Sequence, residues 1–160
     1  MKALKKSISI LMVIAIIVTT ITGVNLVNGT KEVSAKESAA YTIKVNLGTN
    51  CTTIYNSKGK AIKAMICSPS NETPVGTFYV PVKYRWHEMI GNCYAQYCTR
   101  ITEGILFHSV WYYKNGDKST MSVSAYNVMG QKASHGCVRL LCKDAKWIYD
   151  HCAVLGQQER

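Results

Sequence analysis

The sequence predicts a mainly β domain with mixed sheets and one clear helix near the C-terminus. Residues 41–68 alternate apolar and polar side chains along three short segments, which is the pattern of strands with one buried face. Residues 143–154 instead bear an apolar stripe at helical spacing, formed by Ala145, Ile148, Tyr149 and Cys152. We therefore expect this helix to pack on the sheet.

The strands follow one another in chain order. A β-meander is predicted over residues 41–47, 51–56 and 61–68. Residues 68–77 are rich in Ser, Asn, Pro and Gly, which predicts a loop. The next strand is predicted over residues 78–86, where apolar side chains line one face, and Pro81 indicates an edge position because it lacks an N–H donor.

The second half of the sheet begins after a connection at residues 87–92, where His87 is predicted to be a surface histidine. A strand over residues 94–102 and a turn at 103–104 lead into the apolar run that carries His108. Residues 111–118 are aromatic and then polar. They predict either a lid over a cleft or a hairpin whose aromatic side chains complete the core.

The 160 residues suit one domain behind an export segment. Residues 1–6 are basic, residues 8–18 are apolar, and residues 33–35 are small enough for cleavage. We predict that residues 1–35 are a signal peptide or an uncleaved membrane anchor. Residues 36–40 are then a linker and residues 41–160 the domain, which is exported to the cell wall or extracellular space, or held outside the membrane.

The formal net charge is +10. Four Lys and one Glu lie in residues 1–35, which leaves 15 basic and 8 acidic residues in the rest of the chain. This charge suits a polyanionic surface such as a cell wall, and solubility alone explains it equally well. The lysines are scattered and the chain is predicted to be exported, so we expect no nucleic-acid partner. We also expect a monomer, with no membrane contact beyond the N-terminal segment.

Seven cysteines in an exported chain predict either three disulfides with one thiol left over, or buried free thiols. The best pair is Cys51 with Cys67, because a hairpin turning at residues 57–60 sets them opposite each other. Cys142 and Cys152 are a poor pair, since ten helical steps separate them by roughly 15 Å. The odd count leaves one thiol for a nucleophile.

Residues 134–140 read Ser-His-Gly-Cys-Val-Arg-Leu, and we interpret Cys137 as that nucleophile. In an extended segment His135, Cys137 and Arg139 share one face, while Ser134, Val138 and Leu140 take the other. Gly136 lets the backbone approach a bound carbonyl, and the adjacent amides can stabilise an oxyanion. A thiolate needs a base, and His108, 29 residues upstream on an apolar strand, is the best one.

These residues carry a family resemblance. His108-Ser109-Val110, followed by Ser134-His135-Gly136-Cys137 with Val138 and Arg139, resembles the L,D-transpeptidase (YkuD) catalytic domain. Residues 72–78, Glu-Thr-Pro-Val-Gly-Thr-Phe, resemble the family's T-P-x-G-x-F stretch. The likeness runs from about Tyr41 to about Tyr149 and implies a YkuD-like β-sandwich. Family members continue past the helix with a closing strand, which the last six residues do not predict.

The resemblance also implies a reaction. Cys137 attacks the carbonyl between the third and fourth residues of a peptidoglycan tetrapeptide stem, D-alanine leaves, and a side-chain amine of another stem accepts the acyl group. No cofactor and no metal are needed. The resemblance implies that His108 is the base and that Ser109 orients it by its carbonyl or hydroxyl. His135 and Gly136 are expected at the thiolate or oxyanion site, and Arg139 on a stem carboxylate. The other residues expected to contact substrate are Ser134, Tyr126 and Trp111.

Two alternatives remain open. Water replaces the acceptor amine in an L,D-carboxypeptidase that trims stems. In the second alternative the chain is a non-catalytic wall-binding module in which His108, His135 and Cys137 bind zinc, as the His-x-Cys spacing allows.

Overall fold

The computed structural model describes residues 41–152. Its strands are β1 (Thr42–Asn46), β2 (Cys51–Tyr55), β3 (Ala61–Ser68), β4 (Lys83–Met89), β5 (Cys93–Thr102), β6 (Ile105–Ser109) and β7 (Val138–Leu140). Its helices are α1 (Val123–Asn127) and α2 (Cys142–His151), with a 3₁₀ turn at Lys118–Thr120. The prediction of a mainly β fold with one clear helix near the C-terminus is confirmed.

The seven strands form one sheet in the order β1-β2-β3-β7-β6-β5-β4. Neighbouring strands are antiparallel except β6 and β7, which run parallel with His108 opposite Arg139. The chain between them carries α1 and crosses over to insert β7 between β3 and β6. This insertion brings the residues before β7 next to the strand that holds His108.

The two faces of the β6–β7 pair differ, because neighbouring residues of a strand point to opposite sides. On one face Phe107, Val138 and Leu140 join a buried cluster with Ala145 and Ile148 of α2. On the other face Leu106 forms a small cluster with Ala95 and Cys98, against which Cys137 packs. The predicted core face is therefore present in β7, where Val138 and Leu140 pack toward α2, while Cys137 before the strand packs on the opposite side of the sheet.

Strand β4 differs from its prediction at both ends. Residues 78–82 are not in a strand, because Pro81 has no N–H to donate, and the pairing of β4 with β5 begins beyond it at Lys83. The strand then continues through His87 to Met89. The turn is short because Gly91 and Asn92 adopt positive φ values of 93° and 54°, which these residue types tolerate. Strand β4 ends the sheet, so the predicted edge position is confirmed.

Two further predictions were wrong. Residues 134–137 form a bend rather than an extended strand, and regular pairing begins only at Val138. The register places Ile66, not Cys67, opposite Cys51, and all seven cysteines are free thiols. A hairpin turning at residues 57–60 pairs residue 56 with residue 61 and therefore residue 51 with residue 66, one residue short of Cys67, and the observed register has this pairing.

Some predictions fall outside the described residues. The export segment and linker lie in residues 1–40, and the end of the predicted helix and the closing strand concern residues 153–160. Within residues 41–152 no helix is long and apolar enough to cross a membrane.

Candidate active site

A cleft of about 610 Å³ opens on the face of the sheet that bears Cys137. One wall comes from β6 and the bend before β7, and the other comes from the hairpin that joins β4 to β5. Trp111 and Tyr113 complete its lining. The predicted site residues that line the cleft are His108, Trp111, Ser134, His135, Cys137 and Arg139.

Cys137 is half-buried at the end of the bend, immediately before β7. The backbone N–H of Leu106 donates to its Sγ at 3.4 Å, and the thiol reaches the carbonyl oxygen of Gly104 at 3.7 Å. Burial raises the pKa of the Cys137 thiol, while the Leu106 N–H and the Arg139 guanidinium act in the opposite direction. The resting group is therefore a protonated thiol, which needs a base before it can attack.

Gly136 makes the bend at Cys137 possible. Its φ is +110°, and a Cβ built there would lie 2.6 Å from Cδ1 of Ile105. The bend is also held by hydrogen bonds: the Ser134 hydroxyl donates to the Cys137 carbonyl oxygen at 2.6 Å, and the Ala133 N–H donates to the Pro69 carbonyl oxygen at 3.0 Å. Ser134 thus fastens the bend, although its side chain was expected to contact substrate.

His108 is 4% exposed, and its Nδ1 lies 2.6 Å from the Ser109 carbonyl oxygen. A carbonyl only accepts, so Nδ1 carries the proton and Nε2 keeps its lone pair. Burial lowers the pKa of His108 to about 4, the Ser109 carbonyl opposes this, and the electrostatic effects of Arg139 and His87 add to it. The imidazole is neutral at pH 7 and able to take a proton.

Ser109 acts on this histidine only through its backbone. Its hydroxyl is fully buried, accepts from the Gln96 N–H at 2.9 Å and donates to the Val110 carbonyl oxygen at 2.7 Å. Of the two options that the sequence left open for Ser109, the carbonyl is the group that bonds His108.

Arg139 is a buried cation, 8% exposed, that lines the cleft. One guanidinium nitrogen donates to the Ala133 carbonyl oxygen at 2.8 Å, and Nε has no partner. The salt bridges found within residues 41–152 join other residues, so no carboxylate there neutralises Arg139. A buried guanidinium with a free N–H suits a carboxylate ligand.

The remaining predicted residues are placed differently. His135 is exposed and lines the cleft, and half-buried Trp111 packs edge-to-face on Tyr113 with centroids 4.9 Å apart. Tyr112 between them is 3% exposed, so this aromatic segment contributes to both the core and the cleft. Tyr126 lies on α1, is 48% exposed and does not line the cleft. The structure therefore does not bring Tyr126 to the other predicted residues.

Sequence reasoning missed His87, which is half-buried in the cleft wall rather than on the open surface. Its ring stacks on Tyr84 with centroids 4.4 Å apart. The signal that identifies it is the continuation of β4 to Met89, because His87 directly follows Trp86, where the predicted strand ended.

The described residues do not form the zinc site that the second alternative requires. Among residues 41–152, no three His, Cys, Asp or Glu side chains are grouped so that they could hold a metal ion. In addition, Nδ1 of His108 is already engaged by the Ser109 carbonyl.

The chain is similar in sequence to known proteins. Residues 40–156 match the model of the YkuD family, the L,D-transpeptidase catalytic domain. The chain is 36% identical over 124 residues to the Bacillus subtilis (strain 168) protein named "Putative L,D-transpeptidase YciB", covering 75% of this chain and 59% of that protein. The chain thus spans less than two thirds of this relative.

Solved structures share the fold. The L,D-transpeptidase LdtMt1 in complex with imipenem superposes with a TM-score of 0.58 at 22% identity, over 72% of this chain and 56% of the other. An L,D-transpeptidase from Mycobacterium smegmatis gives a TM-score of 0.59 at 22% identity, with the same coverage. The family match over most of the chain, together with this fold, leads to one conclusion: the chain belongs to the YkuD family of L,D-transpeptidase catalytic domains.

Proposed function

We propose that this protein is a cysteine-dependent peptidoglycan L,D-transpeptidase with Cys137 as its nucleophile. The observation that carries the proposal is the grouping of three residues on one face of the β6–β7 pair. His108 is paired in register with Arg139, and Cys137 lies two residues before Arg139 on the same face. A thiol, a neutral imidazole and an unpaired cation then face one cleft.

The first half-reaction makes a thioester. His108 takes the Cys137 proton at Nε2, the sulfur attacks the carbonyl before the terminal D-alanine of a tetrapeptide stem, and the C–N bond breaks. The proton passes from His108 to the leaving amine, so the imidazole is neutral again. The Ser109 carbonyl orients His108 throughout.

Other residues assist this step. We assign the developing oxyanion to the backbone amides of the bend at Gly136 and Cys137, with His135 at its edge. Arg139 is assigned to a stem carboxylate, because a buried guanidinium without an anionic partner is completed by one. Trp111 forms part of the cleft wall against the stem. Tyr126 receives no role.

In the second half-reaction a side-chain amine of another stem attacks the thioester, which forms the cross-link. The export segment proposed for residues 1–35 would deliver the enzyme to the cell wall, where both stems are found. Stem peptides are thus the proposed partners, and the protein acts as a monomer.

The test is to incubate the protein with purified disaccharide-tetrapeptide and follow three quantities: free D-alanine, the mass of the Cys137 peptide, and the products. We expect D-alanine release, a thioester on Cys137 and a cross-linked dimer. Tripeptide acid without dimer would identify the L,D-carboxypeptidase instead. Release of D-alanine with no acyl group on Cys137 would contradict the mechanism.

Imipenem offers a second probe, since it is bound in the structure of LdtMt1. Its strained lactam carbonyl presents the same electrophile as the stem amide, so we expect a covalent adduct on Cys137. An adduct on Cys51 or Cys93 instead would contradict the assignment.

A further inference from the structure

The cleft holds a third histidine that the mechanism above does not use. His87 lies on β4, in the wall that does not carry Cys137. Its ring is fixed by stacking on Tyr84, with 4.4 Å between centroids and 19° between planes. Within residues 41–152, the ring nitrogens of His108 and His151 form hydrogen bonds to backbone carbonyls. Those of His87 form none there, so they are free to contact a ligand.

The second half-reaction has a proton requirement that His108 alone does not meet. An alkyl amine with a pKa of about 10 arrives at neutral pH as an ammonium with three protons. The amide product keeps one of them. One of the other two passes through His108 to the sulfur of Cys137 as the C–S bond breaks, and the last one needs a second base.

When water is the acceptor, no second base is needed. It delivers one proton to the sulfur, and the carboxylic acid product loses its remaining proton to solvent after the reaction. A second base in the cleft therefore favours amide formation over hydrolysis.

We propose that His87 is this second base and that it determines the preference for an amine acceptor over water, an inference that rests on the proposed function. The imidazole takes one proton from the entering ammonium. The free amine then attacks the thioester carbonyl, the C–N bond forms, the C–S bond breaks, and His87 releases its proton to solvent.

The charges around His87 support this role. Tyr84 on β4 contacts the His87 ring directly. The titratable and charged groups that line the cleft with His87 are Glu88 on β4, Cys93 on β5, His108 on β6, Tyr113 beyond it, His135 and Cys137 before β7, and Arg139 in β7. Glu88 is the one carboxylate among the lining residues, next to His87 in the chain, and it can attract an ammonium to the cleft mouth. The buried cation Arg139 then disfavours the ammonium deeper inside, which promotes its deprotonation.

The experiment compares the full chain with His87→Gln, which keeps hydrogen-bonding capacity and removes the base. Single-turnover acylation of Cys137 by tetrapeptide is measured first. The ratio of cross-linked dimer to tripeptide acid is then measured from about pH 6.5 to 9.5. Hydroxylamine serves as a second acceptor, because it is already neutral at pH 7. His151→Gln, an exposed histidine on α2, is the matched control.

We expect His87→Gln to acylate at the wild-type rate and to lower the dimer-to-acid ratio on the order of 10²-fold at pH 7. The difference should shrink as the pH rises and solvent deprotonates the amine. The hydroxamate-to-acid ratio should not change, and His151→Gln should match the wild type throughout.

A dimer-to-acid ratio unchanged in His87→Gln at every pH would overturn the inference and leave the proposed function standing. Equal losses with hydroxylamine and with the stem amine would also overturn it, because they would indicate a merely structural effect. Absence of any acyl group on Cys137 in the wild type would overturn the proposed function, and the inference with it.

Discussion

The two faces of the β6–β7 pair share one backbone, but burial stabilises the fold on one face and costs free energy on the other. Toward α2, Phe107 is 6% exposed and Val138 and Leu140 are fully buried, so removal of apolar surface from water stabilises the fold. Toward the cleft, His108 and Arg139 are buried almost as deeply, at 4% and 8% exposed. There burial costs free energy, because polar groups lose water without gaining a full set of partners.

That cost on the cleft face leaves polar groups there available to a ligand. Burial keeps His108 neutral at pH 7 and leaves Nε of Arg139 without a partner. The alternation of two short strands thus lets an apolar core support a polar site one residue away. Substitutions on the two faces should consequently fail in different ways.

Cys137→Ala should produce the largest effect on the cleft face. We expect D-alanine release to fall by more than about 10⁴-fold, since the proposed nucleophile is gone, while the midpoint of urea unfolding stays close to that of the wild type. Cys51→Ala, another half-buried cysteine, is the control and should keep full activity. Residual turnover in Cys137→Ala above a few per cent would remove the distinction between the faces.

Phe107→Ala is the corresponding change on the core face. We expect it to lower the free energy of unfolding by about 3–5 kcal/mol, because it leaves a cavity beneath α2. Val75→Ala, at a side chain 88% exposed, should change it by less than about 0.5 kcal/mol. Urea titration measures both. A similar small change in the two variants would mean that the α2 face is not the main core.

The sequence predicted most of this comparison because alternation is a local property. The apolar positions of residues 105–110 and 138–140 are read directly, and with them the opposite sides on which Cys137 and Val138 lie. The helix was predicted for the same reason, since its stripe repeats at helical spacing.

What the sequence did not predict depends on contacts between distant segments. The bend at Gly136, where φ is +110°, brings the backbone close to Ile105 of a neighbouring strand, and the partner of Cys51 is set by the register of the whole β2–β3 hairpin. His87 was missed because its place in the cleft depends on how far β4 continues along β5. The alternation of side chains within one strand does not predict how far that strand pairs with its neighbour.

The free energy of unfolding below pH 7 tests how much stability the burial of His108 costs. Its folded pKa of about 4 lies below the ordinary value of 6.5, so between these values the unfolded chain binds a proton that the folded chain does not. The stability that His108 contributes is complete above pH 6.5 and is lost as the pH falls toward 4, by at most about 3 kcal/mol.

His108→Gln should remove this part of the pH dependence. Urea unfolding of both proteins at about pH 7, 5.5 and 4 should show the wild type losing stability more steeply than His108→Gln. Parallel profiles would show that burial of this imidazole has no energetic cost, and the contrast between the two faces would then not explain its neutrality.

Ser134→Ala should give the smallest effect and tests how the bend holds Cys137, the proposed nucleophile. The variant loses the 2.6 Å hydrogen bond to the Cys137 carbonyl oxygen, which stabilises by about 0.5–1.5 kcal/mol. Because this bond fixes the peptide that carries the sulfur, we expect acylation to slow by about tenfold while the unfolding midpoint moves little. Ser57→Ala in the exposed β2–β3 turn is the matched control. Equal acylation rates in the two variants would mean that Gly136 and its contact with Ile105 hold the bend without Ser134, whereas a large stability loss would place Ser134 with the core rather than with the cleft.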